Sequence, residues 1–426
     1  MKIKKILGAL VGFLAAITIV APVFALSTEE RIQKLEEELV ELKKETEITT
    51  EKVESAPSPK GTTFKYGGFI KVNALWSDYE DGPDPGGLAD LLLIPFTIPV
   101  SGTRDDGSVV PSTGGETSFD SDVATSRFWF KTATPTSWGK VSSNIELDFL
   151  TTEGNEIVTN SLGARIRIAS LQWDYSEGAS LLVGQHWSTF LNLGAYPESV
   201  DFIGPTSGIL FNRQQMIRWT RNFSNGDKFH LAAENPQSLI SNGAGRVSLD
   251  IASVPDIIAR YDGTVGILAY SGAVIARQFD AQGVSSELGL GATFSGKLSF
   301  KYGGDLRFGI SHGAIGRYLG VATGTGAEFD ENGEIDAVDS TGLYAVYRHP
   351  WSKNWRSSFH VGYADVDLEG FSDTNTAEAL NYNIDIFYSP TKNLTFGAGL
   401  IIADREVTSG LEGSLNRFQF TSKLVF

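Results

Sequence analysis

Arginine is the residue type whose placement carries the most chemistry in this chain. A guanidinium can hold a carboxylate through two parallel hydrogen bonds, so arginines along a wet wall sort solutes by charge. Residue alternation puts Arg127, Arg218, Arg260, Arg307, Arg348 and Arg356 on one polar face, together with Lys71, Lys131 and Arg417. Fewer acids share that face within the alternating segments: Glu146, Asp148, Asp256, Asp305 and Asp385. Such a set reads as the lining of a pore that prefers anions. Each arginine could also merely solvate the wall and pair with a nearby acid. The stretch 188–214 is too apolar for an ordinary surface loop, with Phe190, Leu191, Tyr196, Phe202, Ile203 and Phe211 among others. It is expected to fold against the wall as a constriction loop, placing Pro197, Glu198 and Asp201 near the narrowest point.

Other chemistry is thinly supported. The five histidines are scattered, and neither a Gly-x-Ser-x-Gly nor a His-Glu-x-x-His motif occurs. With no cysteine, disulfides and thiolate metal sites are excluded. The run Glu328–Asp339 spaces Asp330, Asn332 and Asp336 like a calcium loop, with Gly333 at the sixth place. It lacks flanking helical patterns, so an acidic external turn is the expected reading and a weak metal site the minor one. No enzyme and no cofactor are expected.

The elements that position these residues follow from periodicity. From Thr62 onward, polar and apolar residues alternate in segments of about ten, as strands with two unlike faces require. In Leu380–Tyr388 the residues Leu380, Tyr382, Ile384, Ile386 and Tyr388 oppose Asn381, Asn383 and Asp385. Short turns and long loops alternate along the chain, and charges stand in mid-strand, which a dry sandwich core would not accept. Eight long loops and seven short turns give an all-β transmembrane barrel of 16 antiparallel strands, wide enough for water. The weakest segments are 164–175, where Ile166 and Ile168 disagree in parity with Leu171, Trp173 and Tyr175 and require a bulge or a stretch facing another copy, and 264–277. One continuous strand is expected over 297–311. Asn416–Phe426 ends the chain as an alternating strand with a terminal Phe, and it must pair with the first strand.

The N-terminus has a different periodicity. Lys2, Lys4 and Lys5, an apolar stretch and Ala25 make residues 1–25 a signal peptide. Residues 26–54 carry an a/d stripe through Ile32, Leu35, Leu39 and Leu42, expected as a short α-helical coiled coil in the periplasm. A Pro-rich linker, 55–61, leads into the barrel at 62–426. The net charge is −16, which disfavours nucleic acid as a partner. Outside the N-terminus no apolar run reaches the length of a membrane-spanning helix, and mean hydropathy is −0.07.

The segments FKYGGFIKVNALW (64–76), ATSRFWFKT (124–132), GQHWSTF (184–190) and PTSGILFNRQQMIRW (205–219) are similar to those of the DcaP-like trimeric outer-membrane porins. Leader, coil, Pro-rich linker and a sixteen-strand barrel ending in Phe complete the resemblance over nearly the whole chain. It implies a bacterial outer-membrane location amid lipid and lipopolysaccharide, a homotrimer, and passive uptake of small organic anions such as dicarboxylates. The terminal Phe426 resembles the residue that the barrel-assembly machinery reads. In many sixteen-stranded porins the third external loop narrows the channel, the place that 188–214 holds here. The net charge suggests a rival, a cation-preferring general porin. A second rival, of another class, is a structural envelope protein whose coil tethers the outer membrane to the cell wall.

Overall fold

The computed structural model describes residues 60–426, apart from 152–153, 156–158, 243–245 and 250–251. The signal peptide, the coiled coil over 26–54 and most of the linker lie outside the described residues.

Alternation produces strands because successive side chains leave a pleated backbone on opposite sides. The wall consists of β1 (Thr63–Tyr79), β2 (Glu116–Asp122 continued by Arg127–Thr136), β3 (Gly139–Asp148) and β4 (Arg165–Ser176). Next come β5 (Ala179–Trp187), β6 (Arg213–Asn222), β7 (Lys228–Glu234) and β8 (Asp256–Val265). They are followed by β9 (Leu268–Phe279), β10 (Glu287–Ser299), β11 (Asp305–Gly313) and β12 (Ser340–Pro350). The last four are β13 (Trp355–Val366), β14 (Thr376–Tyr388), β15 (Leu394–Val407) and β16 (Glu412–Val425). Each pairs antiparallel with its chain neighbour, and both segments of β2 pair with β1. The sixteenth strand closes on the first, from Phe69 opposite Val425 to Tyr79 opposite Leu415. Phe426 and Gly68 then exchange two backbone hydrogen bonds of 3.1 Å. No edge is left unpaired in the described wall, which is what a membrane demands of a sheet.

Segment 164–175 contains a bulge, one of the two readings its parity break allows. The β3–β4 register slips between Glu146 and Leu147, so Glu146 faces Ile168 whereas Leu147 faces Ile166. The extra residue is Arg167, which is fully buried on the inner side. Two turns differ from expectation. Instead of a single strand over 297–311, the chain reverses at 300–304, where Gly303 has φ 91° and the Phe300 amide donates to the Gly304 carbonyl at 2.9 Å. The apolar alternation through Leu298, Phe300 and Tyr302 runs straight into this turn and hides Gly303 and Gly304. Likewise β8 runs on to Val265 and turns at Gly266, φ 59°, so the strand expected over 264–277 begins only at Leu268.

The two faces are opposite in character. Phe418, Phe420, Ile384 and Leu290 point outward and are 42–62% exposed, whereas Arg417, Gln419, Asn383 and Asp385 are buried inward. Apolar packing sits where three external loops fold onto the inner wall. Loop 188–212 contributes Phe190, Leu191 and Leu210, which pack with Ile315, Tyr318 and Leu319 of loop 314–339. Loop 80–115 contributes Leu92 and Ile94 against Ile203 and Ile209, and Leu93 and Ile98 against Ile401 and Leu415.

Candidate solute pathway

Loop 188–212 is held by hydrogen bonds to strands on several sides of the barrel. The Asp385 carboxylate of β14 accepts from the Ser199 hydroxyl and the Val200 amide, both at 3.0 Å. Lys71 of β1 donates to the Val200 carbonyl at 2.7 Å, and Gln419 of β16 donates to the same oxygen at 3.2 Å. Asn381 and Asn383 both donate to the Gly204 carbonyl. On the other side, Arg260 donates to the Leu191 carbonyl at 2.6 Å, Arg307 to the Tyr196 carbonyl, and Glu234 accepts from the Thr189 amide at 2.7 Å. Gly208 lies flush on β12, where a methyl group would overlap the Leu343 carbonyl. These contacts satisfy the backbone groups that an infolded loop would otherwise leave dry.

Beside the loop lies a cavity of about 370 Å³, lined by Phe69, Lys71, Arg127, Arg167, Trp187, Tyr196, Pro197, Glu198, Asp201, Phe202, Phe211, Phe387 and Lys423, among others. The Phe69 ring carries Lys423 at 4.1 Å and Arg127 at 5.2 Å from its centroid. Nearby, three guanidinium groups share two carboxylates. Arg167 bonds Glu146 at 2.7 Å and Asp148 at 2.5 Å, Arg165 forks onto Asp148, and Arg127 reaches Glu146 only at 3.4 Å. Arg213 stacks over Trp187 at 4.9 Å. Towards the periplasmic ends of β1–β5 a second cavity, about 320 Å³, is lined by Lys65, Lys131, Lys140 and His186 with several Ser, Thr and Asn residues.

The acids at the first cavity are occupied. Arg356 forks onto Glu198, and Asp201 accepts the amides of Leu93 at 3.1 Å, Ile203 at 3.0 Å and Gly204 at 3.2 Å. Hydrogen bonds of this kind take up the carboxylate oxygens and screen what they offer a passing ion.

The six arginines singled out by alternation do not gather in one place. Only Arg127 lines the first cavity. Arg260 is forked by Asp262 at 2.7 and 2.8 Å, and Arg307 and Arg348 share Asp305 at 2.7 and 2.8 Å. Arg356 is taken by Glu198, while Arg218 points inward with no hydrogen-bond or ion-pair partner among the described residues. Pro197, Glu198 and Asp201 all border the cavity, and Asp201, 2% exposed, also serves the loop backbone. Arg167 was invisible to alternation because the bulge reverses its side. Lys423 stands on the polar face of the last strand, and only its packing on Phe69 singles it out.

Asp330 and its neighbours form a hairpin turn. The Asp330 carboxylate accepts the amides of Asn332 and Glu334, both at 2.8 Å, and Asp336 pairs across the hairpin with Glu328. The weak metal candidate is therefore a turn whose leading carboxylate is engaged by backbone. The carboxylates that converge among the described residues are instead Asp84, Asp90 and Asp120. Burial, with Asp84 and Asp120 beside it, pushes the Asp90 carboxyl up to about 7. In the same loop Arg104 forks onto Asp373 at 2.8 and 2.6 Å and holds that carboxyl down at about 2.

A family model described as DcaP outer membrane protein matches residues 38–426. Among solved structures, the outer membrane channel DcaP of Acinetobacter baumannii is similar at a TM-score of 0.67 and 19% identity, covering 87% of this chain and 99% of that one. OmpT expressed in the outer membrane of Vibrio cholerae gives 0.53 at 9% identity, covering 87% and 99%. A trimer form of in-vitro folded OmpT from the same organism gives 0.50 at 10% identity, covering 86% and 99%. At such identities the likeness shows the fold. Among curated protein sequences none matches the chain significantly.

Proposed function

This chain belongs to the DcaP outer membrane protein family, and from that premise we propose that it is a passive channel preferring small organic anions such as dicarboxylates. The family and the barrel make it an outer-membrane channel. The preference rests on one observation: the cavity beside the infolded loop carries Arg127 and Lys423 on its wall, together with Lys71 and Arg167, which are bonded to the Val200 carbonyl and to Glu146 and Asp148, and its two acids are already bonded. Cationic walls around a narrow wet passage raise the local anion concentration and repel cations, whatever the charge of distant loops. A linear dicarboxylate could engage one charge at the Arg127 and Lys423 pair and pass the other towards Lys131 in the lower cavity. No covalent chemistry belongs to this reading.

Three copies are the proposed assembly, supported by the heptad stripe at 26–54 and by the trimer form of the similar OmpT fold. The signal peptide, the periplasmic coil, lipopolysaccharide as surroundings and recognition of Phe426 by the assembly machinery complete the proposal. The deciding experiment is the reversal potential of purified protein in a planar bilayer under a KCl gradient. A potential of the sign set by chloride, with dicarboxylates blocking the current, supports it. Cation preference would overturn it.

A further inference from the structure

The short turns along the periplasmic rim of the described wall are sorted by charge. The turns after β2, β4, β6 and β8 (137–138, 177–178, 223–227 and 266–267) hold no basic residue, and two of them hold an acid, Glu177 and Asp227. The turns after β10, β12 and β14 (300–304, 351–354 and 389–393) hold one lysine each, Lys301, Lys353 and Lys392, and no acid. These three lysines are exposed, and none has an ion-pair or hydrogen-bond partner among the described residues. No Asp or Glu occurs in 296–304, 346–358 or 386–396.

Aromatic residues border the rim on both sides, so they are not what differs. Trp138 and Phe223 are exposed beside the first turns, and Tyr302, Trp351 and Trp355 beside the later ones. Such a girdle marks the membrane–water boundary, which puts the three lysines at the height of lipid headgroups. Around 300–304 and 351–354 the girdle also presents polar atoms. The Tyr302 and Tyr347 hydroxyls are 3.0 Å apart, and the Tyr347 hydroxyl is 2.9 Å from His349 Nδ1. The Trp351 ring meets His349 edge to face, with centroids 4.2 Å apart. These contacts hold the imidazole in place, and its Nε2 has no partner among the described residues. With strands about 4.8 Å apart and tilted about 40°, turns two strands apart lie about 12 Å from one another along the rim. The lysines therefore form a row facing one leaflet.

We propose that the rim from β10 to β15 is a docking surface for anionic phospholipid headgroups of the periplasmic leaflet, with Lys301, Lys353 and Lys392 as the phosphate contacts and Tyr302 and His349 as polar contacts beside them. A compact ammonium is a point-charge partner for a phosphate, and basic residues at a membrane surface each add to the attraction. That attraction fades within a Debye length, so an acid-free stretch on the same turns matters more than the net charge of the chain. A zwitterionic headgroup carries the same phosphate but brings its own cation, and gains little here. On the opposite side of the rim, Glu177 and Asp227 repel the phosphates that the lysines attract. The surface gives the outer-membrane barrel a lipid preference and does not depend on what crosses its lumen.

The test is native mass spectrometry of the intact protein in detergent with equimolar phosphatidylglycerol and phosphatidylcholine of identical chains. Phosphatidylglycerol adducts at least threefold more abundant than phosphatidylcholine adducts are expected. Lys301→Glu, Lys353→Glu and Lys392→Glu combined should bring the two to parity. Lys60→Glu, Arg221→Glu and Lys228→Glu combined, an equal change of charge at exposed positions elsewhere, should leave the preference in place. Heat-modifiability on gels verifies folding, and the three Lys→Gln changes replace the first set if it fails to fold. Parity in the unaltered protein, or a preference lost equally in both sets, would overturn the proposal. So would a preference that survives the first set while binding to insoluble peptidoglycan is lost, which would assign the lysines to the cell wall. Ion preference recorded in planar bilayers reads the channel function independently.

Discussion

The infolded loop has two flanks, and both are rich in arginine. On the β8–β13 flank the arginines are committed: Arg260 to Asp262, Arg307 and Arg348 to Asp305, and Arg356 to Glu198. Two of them also donate to loop carbonyls, so they act as clamps. On the β16–β4 flank three arginines share two acids, and Lys71 and Lys423 add charge beside the cavity. The same residue type on the same wall does different work. What separates the two is that each arginine of the first flank is matched by a carboxylate, from its own strand (Arg260–Asp262, Asp305–Arg307), a neighbouring strand (Arg348–Asp305) or the loop (Arg356–Glu198), whereas on the second flank Arg165 and Arg167 take up both acids and Arg127 reaches Glu146 only at 3.4 Å.

The largest effect should come from breaking the loop's anchorage. Asp385→Ala leaves the Val200 amide and the Ser199 hydroxyl without their acceptor, at a cost of about 1–3 kcal/mol for each buried group left unmade. Single-channel conductance should rise about twofold and flicker, because the loop loosens at Ser199 and Val200 while Asn381 and Asn383 still hold Gly204. An unchanged conductance would mean the loop does not limit the passage. Next in size is charge reversal. Arg127→Glu should move the reversal potential towards cations by a several-fold change in permeability ratio, and Arg348→Glu should move it much less. Equal shifts would erase the distinction between the flanks.

The smallest effect concerns loop 80–115. The Asp90 carboxyl is raised to about 7 in the folded loop from an ordinary 3.8. A raised pKa means the folded form holds its proton more tightly. Its contribution is fully present below about 4, declines as pH rises, and is lost once pH passes about 7. A spin label at Leu88→Cys should therefore gain mobility between pH 5 and 8, and Asp90→Asn should flatten that response. Mobility independent of pH in the unaltered loop would rule the effect out.

Much of the wall was legible beforehand. Strand number, the closing strand and the outward aromatic face follow from a period of two, and even the bulge in 164–175 showed as a break in parity. The turns at 300–304 and 266–267 were misplaced by a few residues, since apolar alternation continued into glycine turns. The lumen charges were legible as a set but not one by one. Nothing in the neighbourhood of Arg356 announces Glu198, which lies 158 residues away.

The sequence by itself determined the barrel and, outside the bulge at Arg167, which side chains face inward, because alternation is a local property that any strand must express. Tertiary structure alone decided which inward cations stay available to a solute. That depends on where a loop crossing the lumen lays its carbonyls and carboxylates, and such contacts join residues more than a hundred positions apart, as Arg307 and Tyr196 do.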